Sequence, residues 1–256
     1  DQAKSKGAKG ESFDQLEKNL IQVTKQASIK TPKTQDPPKD QMQTLVDFYS
    51  NGKLEKVLVE AQKLIKDFPL SAAIYNIVGA ANQSLGQYEK AINAYKKALE
   101  IQPDYAEIYY NLGISLKDHG ILSEARKSYE KAVSIKPDYS DAYGNLGNVF
   151  KELGMLDEAL EAYNKVIEID EKNAEALNNK GLVLHKQGHQ NKAIDSYNKA
   201  IILKPNFAAA HNNLGNILEE KGEFEQAINS YNTAISINDN YAEAYNNLGG
   251  LLNSQG

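Results

Sequence analysis

Five asparagines, Asn111, Asn145, Asn179, Asn213 and Asn247, recur every 34 residues, each one place before a Leu-Gly pair or, at Asn179, before Lys180-Gly181. Asn is a poor residue inside a helix because its amide competes for backbone hydrogen bonds, so five in register need a compensating role. One such role is recognition: a carboxamide offers two donors and an acceptor, and a row of them can hold the backbone of an extended peptide whatever its side chains. The other is structural, a bond to a neighbouring stretch of the chain, and the sequence leaves both open. Residues three and four apart share a helical face, which sets Asn148 beside Asn145 and Asn216 beside Asn213. Lys117, Lys151 and His185 stand two turns beyond this row, with Glu219 next in their column, while Glu107, Asp141, Glu175 and Glu243 form an acidic column at the opposite edge. Tyr110 offers a ring where the following segments carry Gly144, Asn178 and Asn212. Taken singly, each charged residue reads more simply as part of a solvated helix face.

Other chemistry finds little support. His185 and His189 have the spacing of a zinc pair, yet Gly188 interrupts the helix between them and no third ligand is evident, so no metal is expected. His211 occupies an aromatic position and reads as structural. The chain has no Cys, hence no thiol nucleophile, thiolate site or disulfide. Neither a phosphate-binding glycine loop nor a nucleophile elbow is present, and neither catalysis nor a cofactor is expected. The sequon Asn82-Gln83-Ser84 falls within a predicted helix and reads as incidental. A net charge of −5 argues against general nucleic-acid binding, which needs basic residues to displace counterions. No apolar run is long enough to span a membrane. The chain shows no signal peptide and opens at Asp1, as expected where an original N-terminus lies upstream, and the expected compartment is the cytoplasm.

The elements that must position these residues follow from the same period. Gly79, Gly113, Gly147, Gly181, Gly215 and Gly249 are spaced by 34, as are Gly86, Gly120, Gly154, Gly188, Gly222 and Gly256. Ala91, Ala125, Ala159, Ala193 and Ala227 keep the step, and so do Tyr95, Tyr129, Tyr163, Tyr197 and Tyr231. Uninterrupted columns of this kind mark a repeat architecture. The units are 72–105, 106–139, 140–173, 174–207 and 208–241. In each, an apolar-periodic stretch such as Ile108–Leu116 predicts a first helix, and a glycine free to take positive φ (Gly120) ends it. A second helix follows, as over Glu124–Ile135, with Ser123, Asp157 and Asn191 placed as N-caps. Ala125 and Ala132 are expected to face Gly113 for close packing, with Tyr109 and Tyr129 filling the space beside them. Pro103, Pro137 and Pro205 close the second helix, and Asp104, Asp138, Asn206 and Asn240 are placed to cap the next unit.

The pattern Tyr109-x-x-Leu112-Gly113…Gly120…Ala125-x-x-x-Tyr129-x-x-Ala132…Pro137 resembles the tetratricopeptide repeat, with Tyr where that family often has Trp. The resemblance covers roughly 38–256. It implies an all-α fold, a right-handed superhelical solenoid of antiparallel helix pairs whose first helices line a concave groove. Glu171 and Asp239 replace the terminal Pro, His211 the aromatic and Val166 the second Ala, and these swaps are expected to soften single unit boundaries. The row of asparagines resembles the ladder that lines the repeat superhelix of O-linked N-acetylglucosamine transferases. Chaperone-binding members grip a terminal carboxylate with paired Lys and Asn. Here Asn148 with Asn179, and Asn216 with Asn247, match part of that set, but Gly144, Asn178, Asn212 and Asn246 stand where the clamp Lys belongs.

The ends are less regular. A degenerate unit at 38–71 keeps Gly52 and Pro69 in phase, with Leu45, Val57 and Ala61 in place of Gly, Ala and the aromatic, and reads as helices Asp40–Ser50 and Leu54–Asp67. Upstream lie a Pro-rich linker (31–38), a lone amphipathic helix (11–30, its stripe Phe13, Leu16, Leu20, Val23 and Ala27) and a disordered tail (1–10). Residues 242–256 supply half a unit, whose Tyr245, Leu248 and Leu252 lack a covering partner. The expected function is a scaffold that holds an extended protein or peptide segment, with Asn111, Asn145, Asn148, Asn179, Asn213, Asn216, Asn247, Tyr110, Lys117 and Lys151 as candidate binding residues. Two alternatives remain open. One is the substrate-recruiting arm of a larger enzyme, since similar bacterial proteins often carry a glycosyltransferase, sulfotransferase, methyltransferase or oxygenase domain. The other is self-association through the ends.

Overall fold

The computed structural model describes residues 36–255. The tail, lone helix and most of the linker expected upstream lie outside them. Within the described residues the chain is all-α: α1 (Lys39–Ser50), α2 (Leu54–Asp67), α3 (Ala72–Ser84), α4 (Tyr88–Ile101), α5 (Ala106–Asp118), α6 (Leu122–Ile135), α7 (Ser140–Glu152), α8 (Leu156–Ile169), α9 (Ala174–Lys186), α10 (Gln190–Leu203), α11 (Ala208–Glu220), α12 (Phe224–Ile237) and α13 (Ala242–Gln255). Two compact units result, one ending at Ala142 and the other beginning at Tyr143, inside α7. In the first, α3 packs on α4 and α5 on α6, with α1 and α2 joined to them through Leu45, Tyr49, Val57 and Ala61, all fully buried. In the second, α9 packs on α10 and α11 on α12, and α13 covers one side of α12.

Each turn within a unit is set by one backbone position. Gly52, Gly86, Gly120, Gly154, Gly188 and Gly222 all have φ between 69° and 84°, a region that L side chains avoid, so glycine ends the first helix and lets the second fold back. The other glycine column works by contact. A Cβ on Gly113 would stand 2.6 Å from the Tyr129 ring, and the same clash, at 2.5–2.7 Å, recurs at Gly79, Gly147, Gly181 and Gly215. The glycine therefore makes room for the second helix's tyrosine, the ring expected beside it. That ring is the fully buried centre of each unit (Tyr95, Tyr129, Tyr197 and Tyr231 at 0%), whereas Tyr109 is only partly buried.

The caps differ from expectation. The second helices start one residue before Ser123, Asp157 and Asn191, after Ile121, Met155 and His189, and carry no side-chain cap. Asp157 instead accepts a hydrogen bond from Gln187 Nε2 at 2.7 Å. Tyr105 and Phe207 hold cap positions where Asp104 and Asn206 were expected, and Tyr105 is buried there while Phe207 packs against the cluster of Ala174, Leu177, Ala200 and Ala210. True side-chain caps occur at Ser71, which accepts from the Ile74 amide, and at Asn173, which accepts from the Ala176 amide. The Pro-less boundaries are not displaced. Helices α8 and α12 stop at Ile169 and Ile237, the register of Ile135, each closed by an amide bonded four residues back.

Candidate functional site

The row of asparagines on the first helices is largely engaged with the protein itself, and the engagement follows one rule. Asn213 Nδ2 donates to Asn178 Oδ1 at 2.9 Å, Asn247 Nδ2 to Asn212 Oδ1 at 3.1 Å and Asn111 Nδ2 to Asn76 Oδ1 at 3.4 Å. In every case the acceptor stands 35 residues earlier, one helical place before the corresponding row position. Asn76, Asn111 and Asn212 are fully buried, with Asn178 at 5% and Asn213 at 9%. The structural role of the row is therefore on view, and it adds Asn76, Asn178 and Asn212 to the set. Sequence reading passed these over as partners, although the recurring Asn–Asn offset of 35 was a legible signal.

In the first unit the candidates are deeply placed. Tyr110 is 4% exposed, its ring tilted against those of Tyr139 (centroids 5.0 Å apart) and Tyr129 (5.9 Å). The ring expected to face a ligand is thus spent on packing. Lys117 is half-buried, with its amine 3.8 Å from the Asp118 carboxylate.

In the second unit several candidates remain at the surface. Asn145, Asn148, Asn179, Asn216, Asn247 and Lys151 are all partly exposed. Asn148 Oδ1 accepts the Tyr163 hydroxyl at 2.8 Å. Asn216 Oδ1 accepts Asn247 Nδ2 at 2.8 Å and shares the single Tyr231 hydroxyl proton, at 2.9 Å, with the Glu219 carboxylate at 2.7 Å. Each of these bonds fixes a carboxamide by its oxygen and leaves its Nδ2 donors uncommitted among the described residues. Burial pushes the pKa of both tyrosines upward, so the hydroxyl stays a proton donor. Where Leu182 occupies the Asn148/Asn216 column, the buried Tyr197 hydroxyl has no hydrogen-bond partner among the described residues. The charged column is likewise partnered in places. Glu219 accepts the Tyr231 hydroxyl at 2.7 Å, and His185 Nε2 lies 2.8 Å from Glu220. His211 instead meets the Pro205 carbonyl at 3.0 Å. Among the described residues no cluster of three or more His, Asp or Glu is placed to hold a metal ion. The sequon residue Asn82 is 4% exposed and donates to the Val78 carbonyl at 2.8 Å, inside α3.

A family model described as TPR repeat matches residues 79–120, 116–154, 147–188, 186–222 and 215–256, in phase with the glycine columns. The chain belongs to the tetratricopeptide repeat family. No curated protein matches it. Among solved structures of tetratricopeptide proteins and their like, it is similar to the crystal structure of MamA at 30% identity and a TM-score of 0.61, covering 65% of this chain and 97% of that one. It is similar also to YrrB, described as a TPR protein with an unusual peptide-binding site, at 26% identity and a TM-score of 0.62, covering 73% of this chain and 96% of that one. The likeness to pilF of Pseudomonas aeruginosa, with 18% identity, a TM-score of 0.68 and coverage of 81% and 94%, is one of fold. Among the described residues, no helix of this tetratricopeptide array is long and apolar enough to cross a membrane.

Proposed function

We propose that the chain is a scaffold that binds an extended protein or peptide segment along the first-helix face of its second unit. The observation that carries this reading is the state of Asn148 and Asn216. The Tyr163 hydroxyl holds the Asn148 carboxamide by its oxygen and the Asn247 amide holds that of Asn216, so the Nδ2 donors stand fixed and unspent at a partly exposed surface. Donors whose orientation is already set lose little entropy on meeting a ligand carbonyl, which is how preorganisation raises affinity. Donors of this kind recognise a main chain, and they suit a partner defined more by its extended backbone than by one side chain. The likeness to YrrB, a TPR protein with an unusual peptide-binding site, supports the same reading. Asn213 holds the platform in register through its bond to Asn178, rather than meeting the partner first.

The test is a double substitution that spares the fold. Asn148→Asp with Asn216→Asp retains the oxygens that accept the Tyr163 hydroxyl and the Asn247 amide and deletes the amide donors. Anisotropy of a fluorescein-labelled pool of random dodecapeptides should show affinity falling by about tenfold or more, the scale expected from two lost hydrogen bonds, with helical circular dichroism unchanged. Equal affinity in the variant and the parent would overturn the assignment.

A further inference from the structure

Two of the contacts between neighbouring first helices in the second unit join residues 35 apart, and between α9 and α11 both are satisfied: Asn178 with Asn213 at 2.9 Å and His185 with Glu220 at 2.8 Å. The same two contacts between α7 and α9 are not. Gly144 stands where Asn178 does, so Asn179 finds no carboxamide and makes no hydrogen bond among the described residues. A Cβ on Gly144 would meet only a Val166 methyl, at 3.9 Å, which leaves open space beside Asn179. At the other contact the 34-residue register puts Lys151 in the place of His185 and Lys186 in that of Glu220, so two cations, close enough for Lys186 to act on the Lys151 amine, stand where the next seam holds an ion pair. Lys151 is partly buried, and neither amine has an ion-pair partner among the described residues. Burial and then Lys186 push the Lys151 amine below its ordinary pKa, with Glu152 opposing them.

We propose that this seam takes an acidic peptide segment, seating an aspartate or glutamate carboxylate between Lys151 and Lys186 and a main-chain carbonyl on the Asn179 amide. The inference rests on the peptide-binding reading above and adds the charge of the partner. Like charges without an ion-pair partner are the local defect, and a carboxylate offsets them while supplying the acceptors that two ammonium groups need. The spacing fits. Gly144 and Lys151 are two turns apart on α7, as Asn179 and Lys186 are on α9, a rise of about 10 Å. An extended chain covers that in about three residues. The preferred segment therefore carries its acidic residue about three places from the carbonyl held by Asn179.

Two labelled dodecapeptide pools test this, random except for one central position fixed as Glu in one and Gln in the other. The Glu pool should bind the parent protein about tenfold more tightly, in keeping with one charge-assisted contact, and the gap should narrow as salt rises. In the variant Lys151→Gln with Lys186→Gln the two pools should bind alike. Lys186→Glu, a single change at an exposed site, should remove the preference as well. Equal binding of the pools to the parent, or a gap that survives either lysine variant, overturns the acidic seat while leaving peptide binding intact. Binding of neither pool overturns both readings.

Discussion

Asn179 and Asn213 occupy the same column, yet the side chain 35 residues earlier gives them different physics. Asn213 donates to a buried Asn178 oxygen, so Asn213→Ala strands that acceptor, which costs about 1–3 kcal/mol. Asn179 faces Gly144 and bonds to nothing among the described residues. Its replacement by Ala removes no internal hydrogen bond and improves helix propensity, so stability should change by no more than about 0.5 kcal/mol. Urea denaturation of the two variants checks this, and equal losses would mean that the 35-residue bonding rule does not distinguish them. The column itself was legible in the sequence because Asn is costly inside a helix. Its division into bonded and unbonded members was not, since that depends on which side chain the neighbouring helix presents. The same limit applies to Tyr110, whose type suggested a ligand-facing ring and whose neighbours Tyr129 and Tyr139 claim it for packing.

At the scale of the helices, the period placed the elements closely. The degenerate unit, expected as Asp40–Ser50 and Leu54–Asp67, forms Lys39–Ser50 and Leu54–Asp67. The turn glycines were legible because positive φ has a single cheap residue type. Cap positions were misplaced by one residue at Tyr105 and Phe207 and by two at Ile121, Met155 and His189. Sequence placed alanine and tyrosine together beside the inner glycine, because they share a face of the second helix, but how closely the ring approaches depends on the axial offset of the two helices. The consequence is a paired prediction. Gly113→Ala drives a methyl into the Tyr129 ring and should lower stability by about 1–3 kcal/mol. Gly249→Ala, with nothing within 4 Å of the new methyl, should raise it by about 0.5–1 kcal/mol through helix propensity. Thermal melts of the two variants should therefore shift in opposite directions, and a shared direction would refute the ring contact.

For the molecule as a whole, a repeated unit of low chemical diversity leaves function to the positions where the repetition breaks. Composition excluded thiol chemistry, and net charge argued against general nucleic-acid binding. The period gave the family, and the family model matches in the same phase. What distinguishes one first helix from the next is the handful of departures at Gly144, Leu182, Lys151 and Lys186, which become meaningful only beside their neighbours in space. The most direct test follows the side-chain amides of the protein by nuclear magnetic resonance during titration with the Glu-fixed dodecapeptide pool. The Nδ2 signals of Asn148, Asn179 and Asn216 should shift together, while those of Asn198 and Asn232, exposed on the second helices, hold still. Shifts confined to the second-helix asparagines, with Asn148 and Asn179 unmoved at saturation, would contradict binding on the first-helix face.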